Sequence, residues 1–493
     1  MTTMHKTTPQ TGFDLAAVPT GLFIGGTWRP GSTGQRIDVI DPSTGAAIAA
    51  VADASVEDAM VAVQAATDAG TGWAATAPRK RSEILRRCFE LMVERKDMLA
   101  QLISLENGKA LSDAQGEVAY AAEFFRWFAE EAVRLNGEIS TAPSGANKII
   151  VQHQPIGVAV LVTPWNFPAA MATRKIAPAL AAGCTCVLKP ATETPLTAYA
   201  LAALFAEAGV PDGVVNVITT GRSGPVVSAM LHDPRVRKLS FTGSTEVGRR
   251  LLHEAADTVI SCSMELGGNA PFIVFDDADL DAAIEGAMIA KMRNGGEACT
   301  AANRFYVQGG IAEAFSQRLA ERMGAMQVGP GYEAATQCGP LINQGAVDRI
   351  AGLIDDASSR GAKVLTGGRP LDRQGFYFPP TVIAGVAGDA TIMQEEIFGP
   401  VAAIATFASE DEVIAAANAT EYGLIAYVYT RDLARGLRVS ERLESGMVGL
   451  NRGIVSDPAA PFGGVKQSGL GREGAHHGIL EFCETKYIAV SWG

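Results

Sequence analysis

Apolar positions change rhythm along this chain, and each change marks a change of element. Leu22-Phe-Ile24 and Ile37-Asp-Val-Ile40 are short apolar runs bounded by Gly, Pro and Ser, which predicts strands. Ser55, with Asp58 three residues on, predicts a capped helix start running towards Trp73. A second helix begins near Pro78, with Ile84, Leu85, Cys88, Phe89 and Met92 on one face. A third carries Val118, Ala121, Phe125 and Phe128 at helical spacing and stops at Asn136-Gly137. These stripes read as core.

From Val158 strands and helices alternate. Val158–Val162 is a continuous apolar run, a buried strand, and a helix follows from about Ala169 to Ala182. Cys186–Leu188 is the next strand, then a helix with Thr194 as cap, Pro195 in its first turn and Gly209 past its end. Val214–Ile218 and Lys238–Phe241 continue the series. A second series starts at Phe272–Phe275 and takes in helices at Asp279–Ala290, Gln344–Ser359 and Asp411–Ala417. It ends with Met447–Leu450, a glycine-rich stretch at Phe462–Arg472 and a short strand at Tyr487–Val490. Such alternation predicts parallel sheets covered on both faces, which bind ligands at the carboxyl ends of their strands.

Size and composition narrow the class. At 493 residues the chain exceeds the ~250–300 at which a single core stops growing, so two or three domains are expected. With 47% hydrophobic and 19% charged residues it is a packed globular protein. The net charge of −12 is spread along the chain, and Arg79-Lys80-Arg81 and Arg249-Arg250 read as solvated helix faces, so no nucleic-acid partner is expected. No apolar stretch reaches the ~18 residues of a membrane span, and Met1–Gly12 lacks the apolar centre of a secretory signal and reads as a loose tail. Seven unevenly spaced cysteines and scattered histidines give neither a disulfide framework nor zinc-type spacing. The expectation is a cytoplasmic protein with reduced thiols and no metal.

Four stretches carry candidate chemistry. Cys299 follows the glycine pair Gly295-Gly296, which permits backbone conformations barred to other residues and lets another molecule approach. Cys88 and Cys184, among apolar or alanine-rich neighbours, read as core. Thr163-Pro-Trp-Asn-Phe-Pro168 follows the strand at 158–162, and its prolines fix the turn that holds Asn166. Phe241-Thr-Gly-Ser-Thr-Glu246 runs from strand into helix, where free N–H groups suit a pyrophosphate, although capping by Ser244 or Thr245 would also account for it. Met264-Glu265-Leu-Gly-Gly-Asn269 sets a carboxylate before a glycine pair. Together they describe a thiolate adding to a carbonyl, an amide stabilising the oxyanion, a dinucleotide accepting hydride and a carboxylate activating water. A free thiol of pKa ~8.5 is mostly protonated at neutral pH. Glu297 would hinder ionisation of Cys299 if it pointed inward, so it is expected to point out.

Thr-Pro-Trp-Asn-Phe-Pro, Phe-Thr-Gly-Ser-Thr-Glu, Glu-Leu-Gly-Gly-Asn-Ala-Pro and Glu-Glu-Ile-Phe-Gly-Pro occur in that order, and from about Leu22 onward the chain resembles the aldehyde dehydrogenase superfamily. The resemblance implies an α/β fold with a Rossmann-type cofactor domain (1–128 and 151–264), a second α/β catalytic domain (265–477) and a small β oligomerisation arm (129–150 and 478–493). A homodimer or homotetramer is implied with it. It further implies Cys299 as nucleophile, Glu265 as general base, and Asn166 with the Cys299 N–H as oxyanion hole. NADP or NAD would lie along Trp165, Gly243, Ser244 and Leu266, with Lys189 and Thr192 near the adenosine ribose, Glu396 at the nicotinamide ribose and Phe398 beside it. Lys189-Pro-Ala-Thr192 lacks the glutamate that often accompanies NAD preference, and Glu193 is taken to point away, so NADP is expected to be accepted.

Within the superfamily the likeness is greatest to succinate-semialdehyde dehydrogenases, through Arg174, Arg293 and Ser456, which in that branch grip the substrate's distal carboxylate. The alternative for each arginine is an internal carboxylate partner, Glu297 being nearest to Arg293. Two departures stand out: Ala301 where many members carry a second cysteine, and Arg452 where a small or acidic residue is usual. The expected activity is NAD(P)-dependent oxidation of an acid semialdehyde, succinate or else glutarate semialdehyde. A cysteine-dependent esterase and an idle binding protein of the same fold are the other readings.

Overall fold

The computed structural model describes residues 14–491, so the amino-terminal tail expected at Met1–Gly12 lies outside the described residues. Two large sheets organise the chain. In the first, the strands Ser261–Glu265, Val236–Thr242, Val158–Val162, Thr185–Lys189 and Val215–Val217 lie side by side in that order, all parallel. The antiparallel hairpin Leu22–Ile24 and Thr27–Arg29 extends one edge, and Gly469–Leu470 pairs antiparallel with Ser261–Glu265 at the other. Strand Val158–Val162 is central, and the chain first builds outward on one side, then returns to build on the other. This reversal opens a crevice beyond the strands' carboxyl ends, where such sheets take ligands.

Register aligns those ends. Val162 lies opposite both Lys189 and Phe241, and Thr242 lies opposite Glu265. The segments after Val162, Lys189, Thr242 and Glu265 therefore share one rim. Every residue of Val158–Val162 and Thr185–Lys189 is buried, as the unbroken apolar runs require of strands covered on both faces.

The second sheet orders Lys363–Thr366, Thr381–Ala384, Val401–Phe407, Ala302–Gln308, Ala270–Val274, Ile425–Tyr429 and Met447–Leu450, parallel except for the first. Only the linker Leu266–Asn269 separates the end of Ser261–Glu265 from the start of Ala270–Val274, so the carboxyl rim of one sheet meets the amino rim of the other. A third sheet, Glu138–Thr141, Lys148–Pro155 and Cys483–Val490, is antiparallel and largely exposed.

The helices follow the apolar stripes. Ser55 caps Val56–Ala74 through a reciprocal bond with Asp58, and Pro78–Glu94, Pro168–Ala182 and Pro195–Glu207 all begin on proline. Several details differ from expectation. The helix Lys96–Asn107 is hidden in the sequence by the polar run Glu94–Asp97, which interrupts the stripe where two helices abut. The helix Leu111–Glu131 ends earlier than Asn136. Thr194 caps nothing with its side chain: its hydroxyl donates to the Trp165 carbonyl (3.3 Å), and Glu106 accepts the N–H groups of Leu196 and Thr197 (2.8 and 2.9 Å) instead. Two expected domain edges fall inside elements, 128/129 in Leu111–Glu131 and 150/151 in Lys148–Pro155.

Candidate active site

Cys299 sits on a loop between the helix Leu280–Met292 and the strand Ala302–Gln308. Asn294, Gly295 and Gly296 all take positive φ, which explains the glycine pair. The loop passes so close to the linker that a Cβ on Gly268 would stand 2.6 Å from the Cys299 carbonyl oxygen. Cys299 is partly exposed, on the wall of a cavity of about 680 Å³. Burial of the thiol pushes it up to about 12, against the pull of Arg174 and Arg293; Glu396 and Glu265 push it further up.

Glu265 ends its strand beside this thiol. It is buried, and among the described residues neither of its oxygens has a hydrogen-bond partner. Burial, then the neighbouring Glu473 carboxylate, hold its pKa well above the usual carboxylate range, with Arg174, Lys175 and Arg472 opposing. Asn166 is buried on its proline-bounded turn, and its Nδ2 donates to the Glu297 carbonyl (3.1 Å). That bond takes one of two amide protons. Among the described residues the Cys299 N–H donates to no protein acceptor.

Trp165, Gly243, Ser244, Leu266, Glu396 and Phe398 line the same cavity as Cys299 and Asn166. Ser244 caps the helix Thr245–Ala256, accepting from Val247 N–H, so that helix opens towards the cleft. Trp165 and Phe398 meet edge to face with ring centroids 5.4 Å apart. Glu396 accepts from Gly268 N–H (3.3 Å), and burial raises it to about 7. Lys189 and Thr192 lie beyond this wall, Lys189 ending its strand and Thr192 in the loop after it. Glu193 does not point away: Thr192 Oγ1 donates to its Oε2 (3.1 Å), so a carboxylate stands beside Thr192.

On the far side of Cys299, Arg293 and Ser456 come together, Arg293 Nη1 donating to Ser456 Oγ (3.3 Å). The guanidinium lies over Phe167 (4.9 Å) and Tyr120 (5.9 Å), and among the described residues no carboxylate reaches it within ion-pair distance. Arg174 differs. It is buried, stacked on Phe462 (4.3 Å) and ion-paired with Glu473, so it already holds an anion of the protein. Lys175 binds the same carboxylate (2.6 Å).

Glu297 corrects two expectations. It points inward and pairs with neither arginine; its Oε1 accepts from Ile342 N–H (3.2 Å). Burial raises it to about 8, which leaves it mostly uncharged at neutral pH and removes the repulsion that an inward carboxylate would exert on a thiolate. Arg452 is exposed, donates to the Ile454 carbonyl (2.7 Å) and is not among the residues that line the Arg293–Ser456 pocket.

Glu473 and Lys175 escaped the sequence reading. One signal was there: Arg174 and Lys175 are adjacent cations in an otherwise apolar, alanine-rich helix, and buried charges need partners. Which acid would supply the partner, 298 residues away, is not written in that signal.

A thiol-bearing loop and a buried carboxylate lie at the switch crevice of a parallel sheet, the place where such sheets take dinucleotides. Comparison agrees: residues 28–488 match the aldehyde dehydrogenase family. The chain is 56% identical to a succinate-semialdehyde dehydrogenase of Paenarthrobacter nicotinovorans over 90% of this chain and 99% of that one. It is 50% identical to a glutarate-semialdehyde dehydrogenase of Pseudomonas putida over 95% and 97%. A crystal structure of an E. coli NADP-dependent enzyme superposes with a TM-score of 0.96 at 48% identity, covering 97% of this chain and 99% of that one. The protein belongs to the aldehyde dehydrogenase family, whose enzymes use NAD or NADP. Among the described residues no helix is long and apolar enough to cross a membrane.

Proposed function

We propose that the protein oxidises an acid semialdehyde, succinate semialdehyde foremost, to the dicarboxylate. The observation that carries this is the Arg293–Ser456 pair: a guanidinium and a hydroxyl beside aromatic rings, with no carboxylate within ion-pair distance of the guanidinium among the described residues. A bound carboxylate would accept charge-assisted bonds from both. The two curated relatives, named for succinate and glutarate semialdehydes, support the same class.

The cleft fits a nicotinamide dinucleotide. Its wall includes a helix start, side-chain-free Gly243 and the Trp165–Phe398 pair, and among the described residues Glu396 accepts a bond at one oxygen, from Gly268 N–H. Lys189, Thr192, Ser244 and Glu396 would hold it. Bound NAD(P) supplies the acceptor for the hydride leaving the thiohemiacetal carbon. The Cys299 thiol gives its proton to solvent, and the nearby Arg174 and Arg293 guanidinium groups favour the thiolate. The Cys299 sulfur then adds to the aldehyde carbon, and the oxyanion is received by Asn166 Nδ2 and the Cys299 N–H. After hydride loss a thioester stands on Cys299, and Glu265 deprotonates the water that hydrolyses it. The regenerated thiol and the dicarboxylate close the cycle.

We further infer a cytoplasmic homodimer or homotetramer joined through the third sheet. Its support is the apolar exposure there, Ile139 at 76% and Tyr487 at 58%.

The test is a panel of succinate semialdehyde, glutarate semialdehyde and butanal with each cofactor, followed by reduced-nicotinamide absorbance. The reading requires kcat/KM for an acid semialdehyde to exceed that for butanal at least tenfold. Equal values would refute it, and ester hydrolysis without cofactor reduction would favour an esterase.

A further inference from the structure

Behind the Asn166 turn lies a buried ion pair that the reaction does not use. Lys109 Nζ binds Glu117 Oε2 at 2.6 Å, with side chains 1% and 0% exposed. Each partner makes a second contact towards the site. Lys109 Nζ donates to the Asn166 carbonyl oxygen at 2.6 Å and lies over the Phe167 ring at 4.1 Å. Glu117 Oε1 accepts from Ala169 and Ala170 N–H at 2.8 and 3.2 Å. Those are the first free N–H groups of the helix Pro168–Ala182, whose N-cap Phe167 has no side-chain acceptor and whose first residue is proline.

The rest of the brace is equally specific. Asn107 Nδ2 and Thr194 Oγ1 donate to the Trp165 carbonyl (3.1 and 3.3 Å), and Asn294 Nδ2 donates to the Asn166 carbonyl (2.9 Å). Both peptide carbonyls on either side of the Asn166 Cα are thus held by side chains distant in sequence. Asn294 also donates Nδ2 to the Glu297 carbonyl (2.9 Å), the group that takes one Asn166 amide proton. Neither Lys109 nor Glu117 lines the cavity that contains Cys299.

We propose that Lys109, seated on Glu117, is a positioning residue that fixes the aim of the Asn166 amide at the oxyanion. This rests on the oxyanion role given to Asn166 above. Lys109 acts at the carbonyl of Asn166, and Glu117 fixes the following helix turn, so the pair sets the backbone from which the amide projects. A shift on the order of 1 Å in a reacting group lowers turnover on the order of 100-fold.

The test is a double-mutant cycle measured with saturating aldehyde. Lys109→Met should lower kcat roughly 10- to 100-fold, leave KM for NADP unchanged and lower cofactor-independent hydrolysis of p-nitrophenyl acetate, which uses the same oxyanion donors. In an Asn166→Ala background the same change should lower kcat less than about threefold, because the amide it aims is gone. Equal losses in both backgrounds, or wild-type turnover of Lys109→Met, would overturn the proposal. Wild-type turnover of Asn166→Ala alone would instead overturn the oxyanion reading. Should the unpaired Glu117 prevent folding, Lys109→Met/Glu117→Gln removes the charge and keeps an acceptor for Ala169 and Ala170. It is compared in the same two backgrounds, with the same outcomes deciding.

Discussion

Replacing Arg293 by alanine separates substrate reading from fold support. The guanidinium bonds Ser456 and stacks on Phe167, with no carboxylate within ion-pair distance among the described residues; Asp113, which feels its charge, keeps Lys109 and the Asn294 N–H as stronger support. What the replacement removes is a charge-assisted contact to a bound carboxylate. Breaking such a desolvated pair costs about 2–5 kcal/mol; Arg293 is half-buried, which places it near the lower end. About 2–3 kcal/mol corresponds to a loss of about 30- to 150-fold in kcat/KM for succinate semialdehyde. Butanal, of equal carbon number and without the carboxylate, should lose less than about threefold, the effect of a surface change. Arg174→Ala provides the contrast. It leaves Glu473 without its arginine beside Glu265, so both aldehydes should suffer together. Initial rates for both aldehydes in wild type and the two variants decide the matter. Equal losses for both aldehydes in Arg293→Ala would refute the carboxylate assignment.

Two further outcomes follow. Burial pushes the Cys299 thiol up to about 12, so its reactive thiolate is the minor form at neutral pH, and kcat/KM should climb from about pH 6 to about pH 9; a flat profile would contradict this. Thr192→Glu would place a second carboxylate beside Glu193, and a 2′-phosphate should be repelled, so the NADP-to-NAD ratio of kcat/KM should fall by about tenfold or more. An unchanged ratio would remove Thr192 from the cofactor account.

The fold was legible where the signal is local. Unbroken apolar runs such as Val158–Val162 announced buried parallel strands, and the turn at Asn166 and the glycine pair before Cys299 announced chemistry at the rims. What stayed hidden was partnership over distance. Glu473 on Lys175, Glu117 on Lys109 and Glu106 on the helix start at Leu196 join residues 8 to 298 positions apart, and no periodicity encodes such pairings. Glu297 and Glu193 depart from the expectation that a carboxylate seeks water. Burial makes the first a largely uncharged acid bonded to Ile342, and a neighbouring hydroxyl turns the second back on the chain.

The division of labour between Cys299 and Glu265 is the centre of this account, and intact-protein mass spectrometry of Glu265→Gln tests it most directly. Mixed with succinate semialdehyde and NADP, this variant should release about one equivalent of NADPH in a burst and then stall, because the thioester forms but no base activates water. Peptide mapping should find the succinyl group on Cys299. Sustained wild-type turnover by Glu265→Gln, or an acyl group on any other cysteine, would contradict it.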